Sequence, residues 1–315
     1  MKLQFTSHRL LLGAFACLSL CSCAPTWYAG DSAVRPRLPA STTFNRAAGR
    51  GESLYVTLRL QSGEELPFMI DTGSSVTILD KSLESKLGRR LETRQIQYGW
   101  YGKTSVGIYA APRVYLGGVP LRTGDRVMTD DLSHIYGRMK GILGMDCLHY
   151  YCLQLDFASG KMRFLDPDHL DSEDLGKAYP LRISRALATR GNLAGVNGAD
   201  SLVDTAEYWD GAIKSDIFQR MTQDPNTVAT QCWKDSQGTQ RFAARFKKVV
   251  FDNETYPDLV LRENPDGVNF IGLRFLARHL VTLDFPKHTM YLKRTSIGPL
   301  PVLPGTTAPL TSVTR

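Results

Sequence analysis

Short stretches of alternating apolar and polar positions run through residues 53–294, the mark of strands with one buried face. Leu54, Val56, Leu58 and Leu60 share one face, Gln61-Ser62-Gly63-Glu64 is a turn, and Leu66 to Ile70 returns as a more continuously apolar strand. Tyr98-Gly99-Trp100-Tyr101-Gly102-Lys103 lies between two extended segments and reads as a hairpin tip, and Val114 to Leu121 reads as another hairpin turning at Gly117-Gly118. Leu153 to Phe157 and Met162 to Leu165, joined at Ala158-Ser159-Gly160, form a third. Helices are expected to be short: one begins after Asp80, and Asp146 is read as the start of another.

This plan occurs twice. Phe270-Ile271-Gly272-Leu273-Arg274-Phe275-Leu276 parallels Ile142-Leu143-Gly144-Met145-Asp146-Cys147-Leu148, and Val281 to Phe285 with Met290-Tyr291-Leu292 parallels the Leu153–Phe164 hairpin. The pairs Gly144/Gly272, Leu148/Leu276, Asp156/Asp284 and Met162/Met290 keep one constant offset of 128 residues, which argues for two copies of one unit. The division that follows is 51–170 for the first lobe and 171–297 for the second.

Each copy carries one aspartate where an apolar strand breaks. In the first, Phe68-Met69-Ile70 runs into Asp71-Thr72-Gly73-Ser74-Ser75 before Val76 to Leu79 resumes the apolar pattern. A carboxylate there needs polar company, since an isolated buried charge is costly. Thr72, Ser74 and Ser75 offer hydroxyls, and Gly73 allows close backbone approach. By turn chemistry alone the same residues also fit a surface Asx-turn. The second copy reads Leu202-Val203-Asp204-Thr205-Ala206-Glu207.

Composition changes this picture little. The 315 residues are ample for a buried core, and the formal charge of +7 is scattered, without the basic run of a nucleic-acid binder. The histidines show no metal-ligand spacing, and neither a phosphate-binding glycine loop nor a Gly-x-Ser-x-Gly elbow is present. Among the cysteines that follow Cys23, namely Cys147, Cys152 and Cys232, one disulfide and one free thiol are expected. The amino terminus has a basic start at Lys2 and Arg9 and an apolar stretch from Leu10, then small residues, as an export signal does. Residues 23–50, with Pro25, Pro36 and Pro39, read as a flexible tether, and 298–315 as a loosely ordered tail.

Ile70-Asp71-Thr72-Gly73-Ser74-Ser75, with apolar flanks, resembles the catalytic loop of aspartic proteases, pepsin-like and retropepsin-like. Two β-rich lobes with one Asp each resemble the pepsin-like plan. The resemblance implies an all-β fold with short helices, built from two similar β-barrel lobes, and a peptidase active site with Asp71 and Asp204 as catalytic dyad. It makes Thr72, Gly73, Ser74 and Thr205 the supporting loop residues, and puts Tyr98 or Tyr101 on a flap over the site; an ordinary surface hairpin is the other reading of that segment. The site would need no cofactor and no metal and would favour acidic to mildly acidic pH. Ala206 and Glu207 depart from the family's Gly and Ser or Thr. Ala206 fits only if the backbone there avoids positive φ. Glu207 removes a hydroxyl that would hold Asp204 and adds a third carboxylate. Leu20-Cys21-Ser22-Cys23 resembles a bacterial lipobox, which implies that residues 1–22 are a lipoprotein signal and that lipidated Cys23 anchors an exported protein to a periplasmic-facing or outer membrane. An ordinary secretory signal is the alternative. The implied partners are a peptide or protein substrate and a lipid membrane, with no nucleic acid, and the chain acts as a monomer. Two further readings stay open: a non-catalytic peptide-binding scaffold of the same fold, and a single Asp71 lobe that pairs with its copy in a homodimer.

Overall fold

The computed structural model describes residues 38–98, 102–133, 139–183, 187–189, 200–234 and 238–304. Strands dominate. In the first half they are β1 (Ala40–Thr43), β2 (Tyr55–Leu60), β3 (Glu65–Ile70), β4 (Ile78–Asp80), β5 (Glu92–Tyr98), β6 (Gly102–Ala110), β7 (Val114–Leu116), β8 (Val119–Pro120), β9 (Arg126–Asp130), β10 (Gly141–Leu143), β11 (Cys152–Asp156) and β12 (Lys161–Leu165). The second half holds β13 (Lys177–Ile183), β14 (Leu187–Thr189), β15 (Ser201–Asp204), β16 (Gly211–Lys214), β17 (Thr227–Lys234), β18 (Gln240–Phe251), β19 (Glu254–Asn264), β20 (Asn269–Gly272), β21 (His279–Asp284) and β22 (Thr289–Arg294). The helices are short: α1 (Met145–Leu148), α2 (Ser215–Thr222) and α3 (Leu273–Leu276). A 3-10 turn at Lys81–Lys86 is capped by the Asp80 side chain, which accepts from the Ser82 N–H.

The internal repeat is a repeat of topology. The first lobe runs β5-β6-β9-β4-β10-β3, the second β17-β18-β19-β16-β20-β15. In each, the strand before the aspartate is paired in parallel by a short strand at whose end a glycine stands: Leu143, just before Gly144, lies opposite Ile70, and Gly272 lies opposite Asp204. That short strand also pairs antiparallel with the strand leaving the loop. The aspartates therefore sit at equivalent strand ends. The glycines are needed for this crossing: a Cβ on Gly144 would lie 2.3 Å from the Val76 carbonyl oxygen, and one on Gly272 2.3 Å from that of Trp209.

A platform made of both halves, in the order β1-β12-β11-β21-β22-β13, joins the lobes. Gln154 lies in register with Thr282 and donates to its hydroxyl at 3.1 Å, a separation of 128 residues. Since 128 is also the repeat offset, a residue faces its own counterpart there, and the local two-fold passes between them. The alternation of the sequence is realised as buried faces. Leu54, Val56, Leu58 and Leu60 all point into one core that continues through Leu153, Leu155, Val281 and Leu283 to Phe246 and Phe275.

Three expectations are corrected. The tether does not reach residue 50: Ala40–Thr43 pair with β12, and Phe44, Ala47 and Ala48 are buried, since β12 would otherwise leave its outer edge unpaired. The tail does not begin at 298: Leu300 packs on the core and the Leu303 N–H donates to the Arg50 carbonyl at 3.1 Å. No disulfide joins the three cysteines: Cys147 and Cys152 are buried apart as small apolar groups, and Cys232 is exposed on β17. Residues 1–37, and Cys23 with them, lie outside the described residues. Among the described residues no helix is long and apolar enough to cross a membrane.

Removing the segment before residue 50 has a measurable consequence. A chain trimmed to start at Arg50 loses β1 and the Phe44 side chain, which tilts against Phe157 at a ring separation of 5.3 Å. Emptying that site should destabilise the protein by about 3 kcal/mol or more relative to the full chain. Equal urea midpoints for the two chains would refute the structural role of this segment.

Candidate active site

Asp71 and Asp204 are held in the same way. Asp71 Oδ1 accepts from the Gly73 and Ser74 N–H groups, each at 2.9 Å. Asp204 Oδ1 accepts from the Ala206 N–H at 2.8 Å and the Glu207 N–H at 3.2 Å. One oxygen of each carboxylate is thereby fixed by its own loop. The loops then lock across the lobes. Thr72 N–H donates to Thr205 Oγ1 and Thr205 N–H to Thr72 Oγ1, both at 3.1 Å. Each hydroxyl in turn donates at 2.6 Å to the opposite strand, Thr72 to the Val203 carbonyl and Thr205 to that of Ile70. All four threonine groups are buried and satisfied, so the loops have one relative position.

Gly73 makes that position possible. A Cβ there would sit 2.6 Å from the Asp204 carboxyl carbon and 2.7 Å from Oδ2, so the carboxylate of the second loop lies against the backbone of the first. Ala206, in the matching place, has no positive φ, and its methyl packs on a small cluster of the first lobe with Met69, Ile78, Leu132, Met139 and Ile142. The alanine is thus accommodated without strain.

The expected loss at Glu207 does not occur. Ser74 holds Asp71 through its backbone N–H, while its hydroxyl donates to the Val76 carbonyl at 2.9 Å. Glu207 keeps the same backbone donation to Asp204, so replacing serine removes nothing from the carboxylate. The Glu207 carboxylate is itself paired: Arg262 Nη2 donates to it at 2.5 Å and Nε at 3.4 Å. Neither side chain is more than 8% exposed. Sequence reading missed Arg262, because it arrives from β19, 55 residues away, and no local pattern announces it.

Electrostatics follow from burial. The Asp71 carboxyl is pushed up to about 6 by burial, with the Gly73 and Ser74 N–H groups pulling the other way. Asp204 is pushed well above the ordinary carboxylate range by burial, then by the charge of Asp71, then by that of Glu207. At the back of the site the lobes differ. In the first, Thr77 donates through N and Oγ1 to Asp146 at 2.9 and 2.7 Å. In the second, the corresponding places hold Asp210 and Arg274, paired at 2.6 Å, with Arg278 adding a bond at 2.8 Å. Asp146 lies in the first turn of α1 rather than capping it, Gly144 being the N-cap, and its carboxylate serves the first loop through Thr77.

β5 and β6 do form a hairpin, with Tyr98 opposite Gly102 at its end. Tyr98 is placed at the tip by its backbone, and Tyr101 lies outside the described residues. Among the described residues no cluster of His, Cys, Asp and Glu is arranged to hold a metal ion.

The profile of a family described as Aspartyl protease matches residues 56–147, which include the first loop, the strands β5 and β6 and the start of α1. No curated protein sequence matches the chain. In fold the chain is similar to the aspartic proteinase of Irpex lacteus, with a TM-score of 0.53 at 14% identity over 82% of this chain and 98% of that one. At such identity the likeness is one of bilobal fold.

Proposed function

We propose that this chain, a member of the aspartic protease family by its first-lobe sequence and its fold, is an aspartic endopeptidase with Asp71 and Asp204 as its dyad. The observation that carries the reading is the reciprocal bonding of Thr72 and Thr205, which holds together the loops of the buried Asp71 and the half-buried Asp204 from separate lobes. Two carboxylates about 3 Å apart cannot both ionise, so they share a proton. Asp204, which feels two neighbouring negative charges, keeps that proton, and Asp71 is the base.

The steps balance without a covalent intermediate. Asp71 takes a proton from a water between the carboxylates, and the water oxygen attacks the peptide carbonyl. Asp204 gives its proton to the carbonyl oxygen. Collapse of the tetrahedral species breaks the C–N bond: Asp71 passes the proton it took from the water to the leaving amine, and one hydroxyl of the tetrahedral species returns a proton to Asp204, which restores the dyad. The apparent acid constants belong to the pair. Rate should rise as pH approaches about 6, where Asp71 loses its proton, and fall on the alkaline side as the second proton leaves. The expected working range is therefore mildly acidic to neutral.

The β5–β6 hairpin, which ends at Tyr98 and Gly102, is the proposed flap, with Tyr98 or, by sequence position, Tyr101 as its tyrosine, and the internal pairing of the loops supports a monomeric site. The sequence supports export and a lipid anchor at Cys23. The test is cleavage of a diverse peptide library by the full chain between pH 3 and 8. Cleavage that is half-maximal on its acidic side near pH 6, peaks above that and vanishes in Asp71→Asn supports the reading. No cleavage by folded protein would favour a peptide-binding scaffold instead.

A further inference from the structure

The two aspartate loops differ in one charged feature. In the first, position 74 is a serine whose hydroxyl closes its own loop on Val76. In the second, position 207 is a glutamate. Its backbone performs the loop's ordinary duties, donating to Asp204 at 3.2 Å and accepting from the Leu273 N–H at 2.8 Å, as Ser74 accepts from Met145 at 2.8 Å. Its carboxylate is surplus to those duties and is buried with Arg262. A buried pair of this kind is seldom the most stable filling for its volume, so its presence beside a charged site asks for another reason.

Arg262 is firmly placed for such a role. It lies on β19, opposite Ala212 of β16 and Ala243 of β18. Its Nη1 donates to the Glu263 carbonyl at 3.3 Å, and its guanidinium stands 5.9 Å from the ring of Phe270. Phe270 is in register with Leu202 on the strand that ends at Asp204. The guanidinium thus grips, through Glu207, the loop whose N–H groups hold Asp204, and it rests on the adjoining strand.

We propose that the Glu207–Arg262 ion pair makes the two carboxylates inequivalent, with Arg262 a positioning residue that acts on Asp204 through Glu207. Resting on the peptidase reading, it assigns to this pair the choice of which aspartate keeps the shared proton. Among the described residues the charges that act on Asp204 are Asp71 across the cleft and Glu207 on its own loop, and Arg262 of β19 is paired with Glu207. Behind them Asp210 faces Arg274 and Arg278. Among the described residues Glu207 alone adds negative charge to Asp204 with no counterpart at Asp71, and Arg262 sets how much of it is felt. Burial and the charge of Asp71 raise Asp204, and Glu207 adds to both.

The test follows the carboxyl groups directly. Full chain labelled with carbon-13 at aspartate carboxyls is titrated by NMR, with Asp71→Asn and Asp204→Asn identifying the two signals. Glu207→Gln keeps a hydrogen bond to Arg262 and removes the negative charge. It should lower the Asp204 midpoint by about one pH unit, a tenfold weaker hold on the proton. The double variant Glu207→Gln, Arg262→Met, which removes both charges, should fall between that value and the wild type. Arg262→Lys, which keeps the charge, should stay near the wild type. In cleavage assays the alkaline limb of kcat/KM should move with the midpoint. An Asp204 midpoint unmoved by Glu207→Gln overturns the proposal, even if the substitution lowers the melting temperature, because the pair would then be structural only. A midpoint that moves in a protein that cleaves nothing would uphold the inequivalence and refute the peptidase reading.

Discussion

Asp71→Asn and Asp204→Asn are each expected to lower peptide cleavage by about 10³-fold or more, and at pH 7 each is expected to raise the resistance of the protein to unfolding. The first effect would be the loss of the base or of the acid from the proposed dyad, which needs both. The second follows from the sign of the shifts. The folded-state acid constant of Asp71, at about 6, lies above its unfolded value of 3.8. Between those values the folded protein binds more protons than the unfolded chain, so this site favours the fold at low pH and the advantage is lost as pH rises through about 6. Above that, a buried negative charge is carried at a cost on the order of 3 kcal/mol, which a neutral amide avoids. The amide oxygen that Asp71→Asn introduces can still accept from the Gly73 and Ser74 N–H groups, so the loop keeps its shape. The check is a pair of urea titrations at pH 4 and pH 7 beside the cleavage assay. Variants that are inactive yet no more stable than wild type at pH 7 would show that burial does not strain these carboxylates.

The other large effect lies behind the second loop. Asp210→Ala is expected to destabilise the protein by about 3–5 kcal/mol, the range for breaking a buried ion pair at one end. Asp210 is fully buried and accepts from Arg274 Nη1 at 2.6 Å, Arg278 Nη2 at 2.8 Å and the Val260 N–H at 2.8 Å. Arg278 is fully buried too, and burial already weakens its hold on its proton. Without Asp210 it retains, among the described residues, only the Pro257 and Asp258 carbonyls, at 2.7 and 3.2 Å. The corresponding change in the first lobe, Thr77→Val, removes a neutral hydroxyl that bonds Asp146 and leaves the backbone N–H in place. Its expected cost is about 1–2 kcal/mol. Denaturant midpoints for the two variants test the contrast, and equal losses would mean that the second lobe does not depend on its charge network.

The sequence by itself determined the features written in short range or by repetition. The alternation of Leu54, Val56, Leu58 and Leu60 became a strand buried along one face, because a period of two leaves no other way to hide those side chains. The constant offset between Gly144 and Gly272 became two copies of one topology, and it ran through to a residue pairing with its own counterpart across the platform. Asp71 was legible because the residues that fix it, Gly73 and Ser74, are its immediate neighbours.

Tertiary structure alone decided which distant groups meet. Whether Glu207 would spoil the second loop depended on Arg262, and whether Asp210 could be buried depended on Arg274 and Arg278, all supplied by other elements. The amino-terminal segment read as a tether because its strand is short, and only the open edge of β12 gives it a partner. A side chain's charge and size are local facts, but the energy of burying it is set by what packs against it, and that is fixed only when the strands find their register.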